Sequence, residues 1–276
     1  MKEWYYGGIS MNKGKTISKN AGRSSRAYGW RPDIPDYRDH LYGAVHRIAR
    51  KLPPKVDLRS YCSPIEDQGT LGSCTGNALA GALEYLERKN PQPKPFVDLS
   101  RLFIYYNERV LENSVATDSG AAIRDGIKTL AKQGVCSEKS WPYVISKFAV
   151  KPKASCYKEA LDHQITEYQR LSTLDEMRDC LARGFPFVFG FSVYESFETQ
   201  KVAKTGIMPM PSKGERMVGG HAVCGVGYDD AKKTLIVRNS WGKNWGMEGY
   251  FAMPYQYLTN SNLSDDFWTI RQAENL

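Results

Sequence analysis

The sequence predicts an α+β fold made of a helical lobe followed by a sheet lobe. Three observations lead there. Apolar residues recur at helical spacing in the first part of the body, and the period shortens to that of strands beyond residue 185. The 276 residues suffice for two small lobes sharing a cleft. Helices come first and strands later, without an internal repeat, which is the order of an α+β chain rather than an alternating one.

In chain order, a basic extension over residues 1–55 precedes a body over 56–276. The body divides into a helical lobe at about 56–160 and a sheet lobe at about 161–276. Within the extension, residues 7–29 are rich in Gly, Ser, Asn, Lys and Arg, the composition of a flexible segment. Residues 30–42 carry prolines that favour an extended path, and Trp30, Tyr37 and Tyr42 can dock on a surface. A second linker, 52–59, leads into the body. One helix is expected from Ser73 to Lys89, with Leu79, Ala82, Leu83 and Leu86 on one face. Another has Ser100 as N-cap and turns Phe103, Ile104 and Val110 inward. A third covers Ala121 to Lys132 and stops at Gly134. The fourth opens on Thr173 and Glu176 as a capping pair and ends near Gly184. Strands are expected at 185–193, 222–228, 235–238, 250–252 and 267–270.

Composition narrows the function classes. The longest apolar run, Phe185 to Tyr194, is far short of the ~20 residues of a membrane helix. The first residues, M-K-E-W-Y-Y-G-G, lack the apolar core of a secretory signal. The expectation is a soluble monomer, cytoplasmic or exported by a non-classical route. Net charge is +8, and it sits in the extension: residues 1–55 hold twelve Lys and Arg against four Asp and Glu, and the remainder holds 26 of each. Such an arm can bind nucleic acid, another polyanion or the body itself, and charge alone does not choose. Six cysteines (62, 74, 136, 156, 180 and 224) include no C-x-x-C pair, so neither a metal nor a cofactor is expected. With Cys74 a free thiol, at most two disulfides remain.

The chemistry is concentrated in three blocks. Thiol catalysis needs a thiolate, a proton acceptor beside it and donors aimed at the developing oxyanion. Gln68-Gly69-Thr70-Leu71-Gly72-Ser73-Cys74 is a polar, glycine-containing loop that ends at a helix start, where the dipole favours a thiolate. Gly72 permits close backbone approach, and the Gln68 amide can donate to an oxyanion. Downstream, Gly219-Gly220-His221-Ala222-Val223 sets a histidine at the start of an apolar strand. A returning strand brings Asn239 near His221, where its amide oxygen can accept the imidazole N–H, and Trp241 can cover that bond. Cys74 is thus the expected nucleophile, His221 its base and Asn239 the residue that orients the base. A thiolate–imidazolium pair is expected from these two groups.

Q-x-x-x-G-S-C, G-H-A-V and N-S-W-G-x-x-W-G-x-x-G-Y, in this order, resemble the papain and cathepsin peptidases. Ser119-Gly120, Gly134 and Trp141-Pro142-Tyr143 look like that family's glycine-lined wall and the segment after it. The resemblance covers roughly 53–270 and implies a two-lobed fold, with a helical left lobe, an antiparallel β-barrel-like right lobe and a cleft between them. It implies a cysteine endopeptidase acting on a peptide or protein, with Gly72, Ser73, Ser119, Gly120, Gly219, Gly220 and Trp241 lining the substrate path. His221 and Asn239 lie 147 and 165 positions after Cys74, at or slightly beyond the family's ~130–150. By the same resemblance, the pocket for the side chain two residues before the scissile bond is floored within Ser264-Asp265-Asp266-Phe267, with either Asp265 or Asp266 pointing into it or both forming the turn before the last strand. Departures are Leu71 in place of a cysteine and Thr75 in place of a tryptophan, which remove a disulfide and a packing group but no catalytic group. The short basic extension is similar to that of the bacterial xylellain-type branch, and it is expected to act as an intramolecular inhibitor.

Plainer readings suit the other candidates. Cys136, Cys156, Cys180 and Cys224 read as buried small apolar groups, His40, His46 and His163 as surface histidines, and Trp245 as core. Two rival functions stand beside hydrolysis: an acyl-transferase or ligase using the same thioester, and a non-catalytic protein binding through the basic arm. An inactive scaffold would be expected to lack one of Gln68, Cys74, His221 and Asn239, and all four are present.

Overall fold

The computed structural model describes residues 27–90 and 95–273, so most of the expected flexible stretch, 7–26, lies outside the described residues. The first elements are α1 (Tyr42–Val45), β1 (Lys55–Asp57), α2 (Cys74–Lys89), α3 (Arg101–Leu111), α4 (Ile123–Gln133) and α5 (Ala154–Ala160). Then come β2 (Ile165–Arg170), α6 (Leu174–Ala182), β3 (Phe187–Tyr194), α7 (Gln200–Thr205), β4 (Met217–Asp229), β5 (Thr234–Arg238), β6 (Tyr250–Pro254), α8 (Tyr255–Leu258) and β7 (Ser264–Ala273). The fold is α+β.

Local chemistry sets the helix ends. The Ser100 hydroxyl accepts the Phe103 N–H at 3.2 Å, and Thr173 caps α6 through the Glu176 N–H at 3.2 Å. Gly134 ends α4 with φ of 70°, a conformation glycine adopts without strain. α2 is buried from Cys74 through Leu86, which makes it the central helix of one core. Val110 departs from expectation: it is 41% exposed, because the last turn of α3 leaves the core. His163 also differs, being half-buried against Glu87 at 2.6 Å.

The strands form one antiparallel sheet in the order β2-β7-β3-β4-β5-β6, with β1 added beside β4. The sheet is open at β2 and β6, so the expected barrel-like closure is corrected to an open sheet. β4 begins earlier than its apolar residues suggest, because Gly219 and Gly220 pair with Val193 and Ser192 and continue the ladder. β1 and β2 were not foreseen: K-V-D has one apolar residue, and β2 turns the polar Gln169 inward. A second core, on Phe187, Phe189, Phe191 and Phe251, takes in Tyr42 of the extension. Tyr42 is fully buried and donates its hydroxyl to Asp179 at 2.7 Å, so residues 42–49 are anchored to the body.

Candidate active site

Cys74 is the first residue of α2, preceded by buried Ser73. Gln68 is held on both sides: its Oε1 accepts the Ser240 hydroxyl at 2.6 Å and its backbone N–H donates to the Ser240 carbonyl at 2.9 Å. This orients the Gln68 Nε2 toward the nucleophile loop, where it donates to the Leu71 carbonyl at 3.0 Å and to the Ala27 carbonyl at 3.2 Å.

His221 lies on β4 opposite Phe191 of β3, and Asn239 follows β5, whose pairing with β4 brings the two side chains together. His221 Nε2 meets Asn239 Oδ1 at 2.8 Å. Asn239 Oδ1 can only accept, so Nε2 carries the proton and Nδ1 is the basic nitrogen. Trp241 stacks on the imidazole with centroids 4.9 Å apart and is itself buried, shielding the His221–Asn239 bond. Trp245 packs edge-on behind Trp241 at 5.0 Å, as core.

The extension crosses this site. Gly29 packs on Gly72, and its carbonyl accepts the Ala121 N–H at 2.7 Å. Trp30 donates its N–H to the Gly220 carbonyl at 3.0 Å, and Arg31 donates to the Ala121 carbonyl at 3.1 Å. The bridge between Trp30 and Ala121 is parallel. The Trp30 indole sits over Gly190 and Gly220, where a Cβ would collide with it, and Tyr28 covers Gly219. Tyr28 also meets both His221 and Trp241 edge-on at 6.2 Å. Gly120, with φ of 70°, lies against Gly29, again with no room for a side chain.

Of the two candidate acids, Asp266 meets the extension and Asp265 does not. Asp266 is buried, and its Oδ2 accepts the Trp30 indole N–H at 3.1 Å and the Asp33 N–H at 2.8 Å. Its φ of 59° and the register shift between Val188 and Gly190 mark a bulge in β7 that aims the carboxylate inward. Asp265 is half-exposed and pairs with Arg170 at 3.1 Å. Ser119 also faces away, its hydroxyl bonded to Ser114 and to the Gly120 carbonyl within its own loop.

Burial pushes the Cys74 thiol up to about 11; backbone hydrogen bonds from Ala222, Gly29 and Thr75 oppose this, and the Glu108 charge adds to it.

Two contributors, Asp118 and Tyr143, were not among the expected site residues. Asp118 accepts the Gly72 N–H at 3.0 Å and the Tyr105 hydroxyl, which in turn accepts the Gly120 N–H at 3.1 Å, so one carboxylate ties the nucleophile loop to the facing wall. The Tyr143 hydroxyl bonds Ser73 and the Gln68 carbonyl. Asp118 adjoins Ser119-Gly120, and that adjacency was the available signal.

Comparisons with known proteins identify the family. A family profile described as "Papain family cysteine protease" matches residues 52–268. The chain is 46% identical to xylellain, a cysteine protease from Xylella fastidiosa, whose crystal structure superposes with a TM-score of 0.82 over 91% of this chain and 98% of that one. An uncharacterized peptidase C1-like protein of Acanthamoeba polyphaga mimivirus is 45% identical over 274 residues, 90% of this chain and 88% of its own. Procathepsin L of Felis catus is 31% identical over 74% of this chain and 61% of its own length. The chain belongs to the papain family of cysteine proteases.

Proposed function

We propose that the chain is an endopeptidase that cleaves peptides and proteins through a thioester on Cys74. The observation that carries this reading is the His221–Asn239 bond under Trp241, beside a thiol at the start of α2. His221 Nδ1 takes the thiol proton, and the sulfur attacks the scissile carbonyl. The oxyanion is received by Gln68 Nε2, the group that now holds the Ala27 carbonyl. The imidazolium then protonates the leaving amine, and a water activated by the same nitrogen hydrolyses the thioester. Labelling with an epoxide inhibitor of cysteine peptidases, followed by peptide mapping, tests the assignment: the label is expected on Cys74, and a label on another cysteine would reject it. Release of free carboxylate rather than a new amide separates hydrolysis from acyl transfer.

In the same reading, residues 1–55 form an inhibitory arm on a peptidase body. The support is that Ala27 occupies the oxyanion donor while Gly29 and Trp30 take backbone partners on both walls. Binding of nucleic acid or another polyanion by the arm has no comparable support.

The pocket that holds Trp30 is assigned to the substrate side chain two residues before the scissile bond. Arg170 occupies Asp266 Oδ1 at 3.0 Å, so lifting the extension frees Oδ2 for a basic side chain. Substrates with Arg at that position are expected to be cleaved alongside apolar ones. Asp266→Asn should lower kcat/KM for the Arg substrate by about 10–100-fold, the worth of one charge-assisted contact, relative to a Leu substrate. An equal loss on both substrates would reject the assignment.

A further inference from the structure

α3 carries a carboxylic acid that the mechanism above does not use. Glu108 is fully buried, and its Oε2 accepts the Thr75 hydroxyl at 2.7 Å, one residue beyond the nucleophile. Its Oε1 has no hydrogen-bond partner among the described residues. Gly126 of α4 leaves the space for that oxygen, since a Cβ there would collide with it. Among the described residues no cation forms a salt bridge with it, and the nearby Arg109 charge favours its ionised form only weakly. On α3, Arg109 spends its guanidinium on the carbonyls of Tyr105, Val115, Thr117 and Phe148. Just past α3, at its C-cap, Glu112 takes the Ala122 N–H and pairs with Arg31 of the extension. On α4, Asp125 is a further negative charge, beside Lys128 at 4.0 Å, and Arg124 is turned to Asp39. From α2, Thr75 reaches it through its hydroxyl, and its charge acts on Cys74 one residue earlier.

We propose that Glu108 is a positioning residue of the active site, a buried acid that acts through Thr75 at the start of α2 and sets the charge state of Cys74 by gaining or losing its own proton. Burial pushes Glu108 up to about 8, with the charges of Glu112 and Asp125 adding and the Thr75 bond and the Arg109 charge opposing. Below that pH the group is neutral and leaves the thiol alone. Above it, a buried negative charge without a salt-bridge partner disfavours the thiolate. The inference rests on Cys74 as the reactive thiol, but its test reads the ionisation of Cys74 and not hydrolysis, so the two ideas fail separately.

The experiment measures the alkylation rate of Cys74 by iodoacetamide from pH 6 to 10, on the full chain, by peptide mapping. Wild type is compared with Glu108→Gln, which keeps an acceptor for Thr75. The rates are expected to agree near pH 6, with the variant about three- to tenfold faster above pH 9, the effect of a half to one unit in thiol pKa. A ratio constant across the range would show a merely structural role and overturn the proposal. Should the variant fold poorly, the carboxyl carbon resonance of Glu108 in the wild type decides: titration near neutrality or above supports the proposal, and titration at ordinary carboxylate pH overturns it.

Discussion

Cys74→Ala is expected to lower peptide hydrolysis by at least about 10⁴-fold, the scale seen when a nucleophile is removed from a catalytic unit that works as a whole. The fold should survive. The change deletes one sulfur atom buried at the start of α2, so the cost is about 1 kcal/mol, or about 2–4 °C in melting temperature for a chain of this size. His221→Ala should be as damaging to rate and more damaging to stability, because the imidazole packs between Trp241 and Phe191. Asn239→Ala should be milder, about 10–100-fold, since it orients the base without touching the scissile bond. It should lower kcat more than it raises KM. Calorimetry and initial rates on one peptide check all three, and Cys74→Ala retaining near wild-type activity would falsify the central assignment.

The sequence made the catalytic chemistry legible because that chemistry depends on local constraints. Gly72 and Ser73 before Cys74 at a helix start, glycines before His221, and Asn239 directly after a strand are each short-range patterns, and the fold joins His221 to Asn239 and sets Ala222, next to His221, against Cys74. Helix caps at Ser100, Thr173 and Gly134 were legible for the same reason. What was hidden depends on tertiary pairing. β1 exists because β4 offers it an edge, and β2 because β7 does; neither has the alternating pattern that would announce it. Asp118 acts by bridging Gly72 and Tyr105, 46 and 13 positions away, a distance no local pattern carries. Asp265 and Asp266 were equivalent on the page, and only the bulge in β7 turns one inward and leaves the other at the surface.

Trp30→Ala is expected to raise activity of the full chain on small peptides by about 10–100-fold. The indole fills the space above Gly190 and Gly220 and donates to Asp266, so it is the main side-chain anchor of the segment that covers Cys74. Truncating a buried Trp costs about 3–5 kcal/mol, but part is regained because only the seated form, in which the arm competes at an effective concentration in the millimolar range, is destabilised. Truncation of residues 1–31 should do the same while sparing Tyr42, whose burial makes longer deletions destabilising. The pH dependence has a definite sign. Burial pushes both Asp33 and Asp266 up, Asp266 to about 6 with the Asp33 charge as the next cause. Lifting the segment parts the two acids and rehydrates them, so both fall toward the ordinary carboxylate value. Seating therefore takes up protons, and it tightens as pH falls from about 7 to about 4. The ratio of wild-type to Trp30→Ala activity should shrink over that range, measured on a peptide without ionisable side chains. A ratio that rises on acidification would show that protonation releases the arm. Unchanged catalysis in both variants, with lost binding to a polyanion, would instead assign the arm to recruitment.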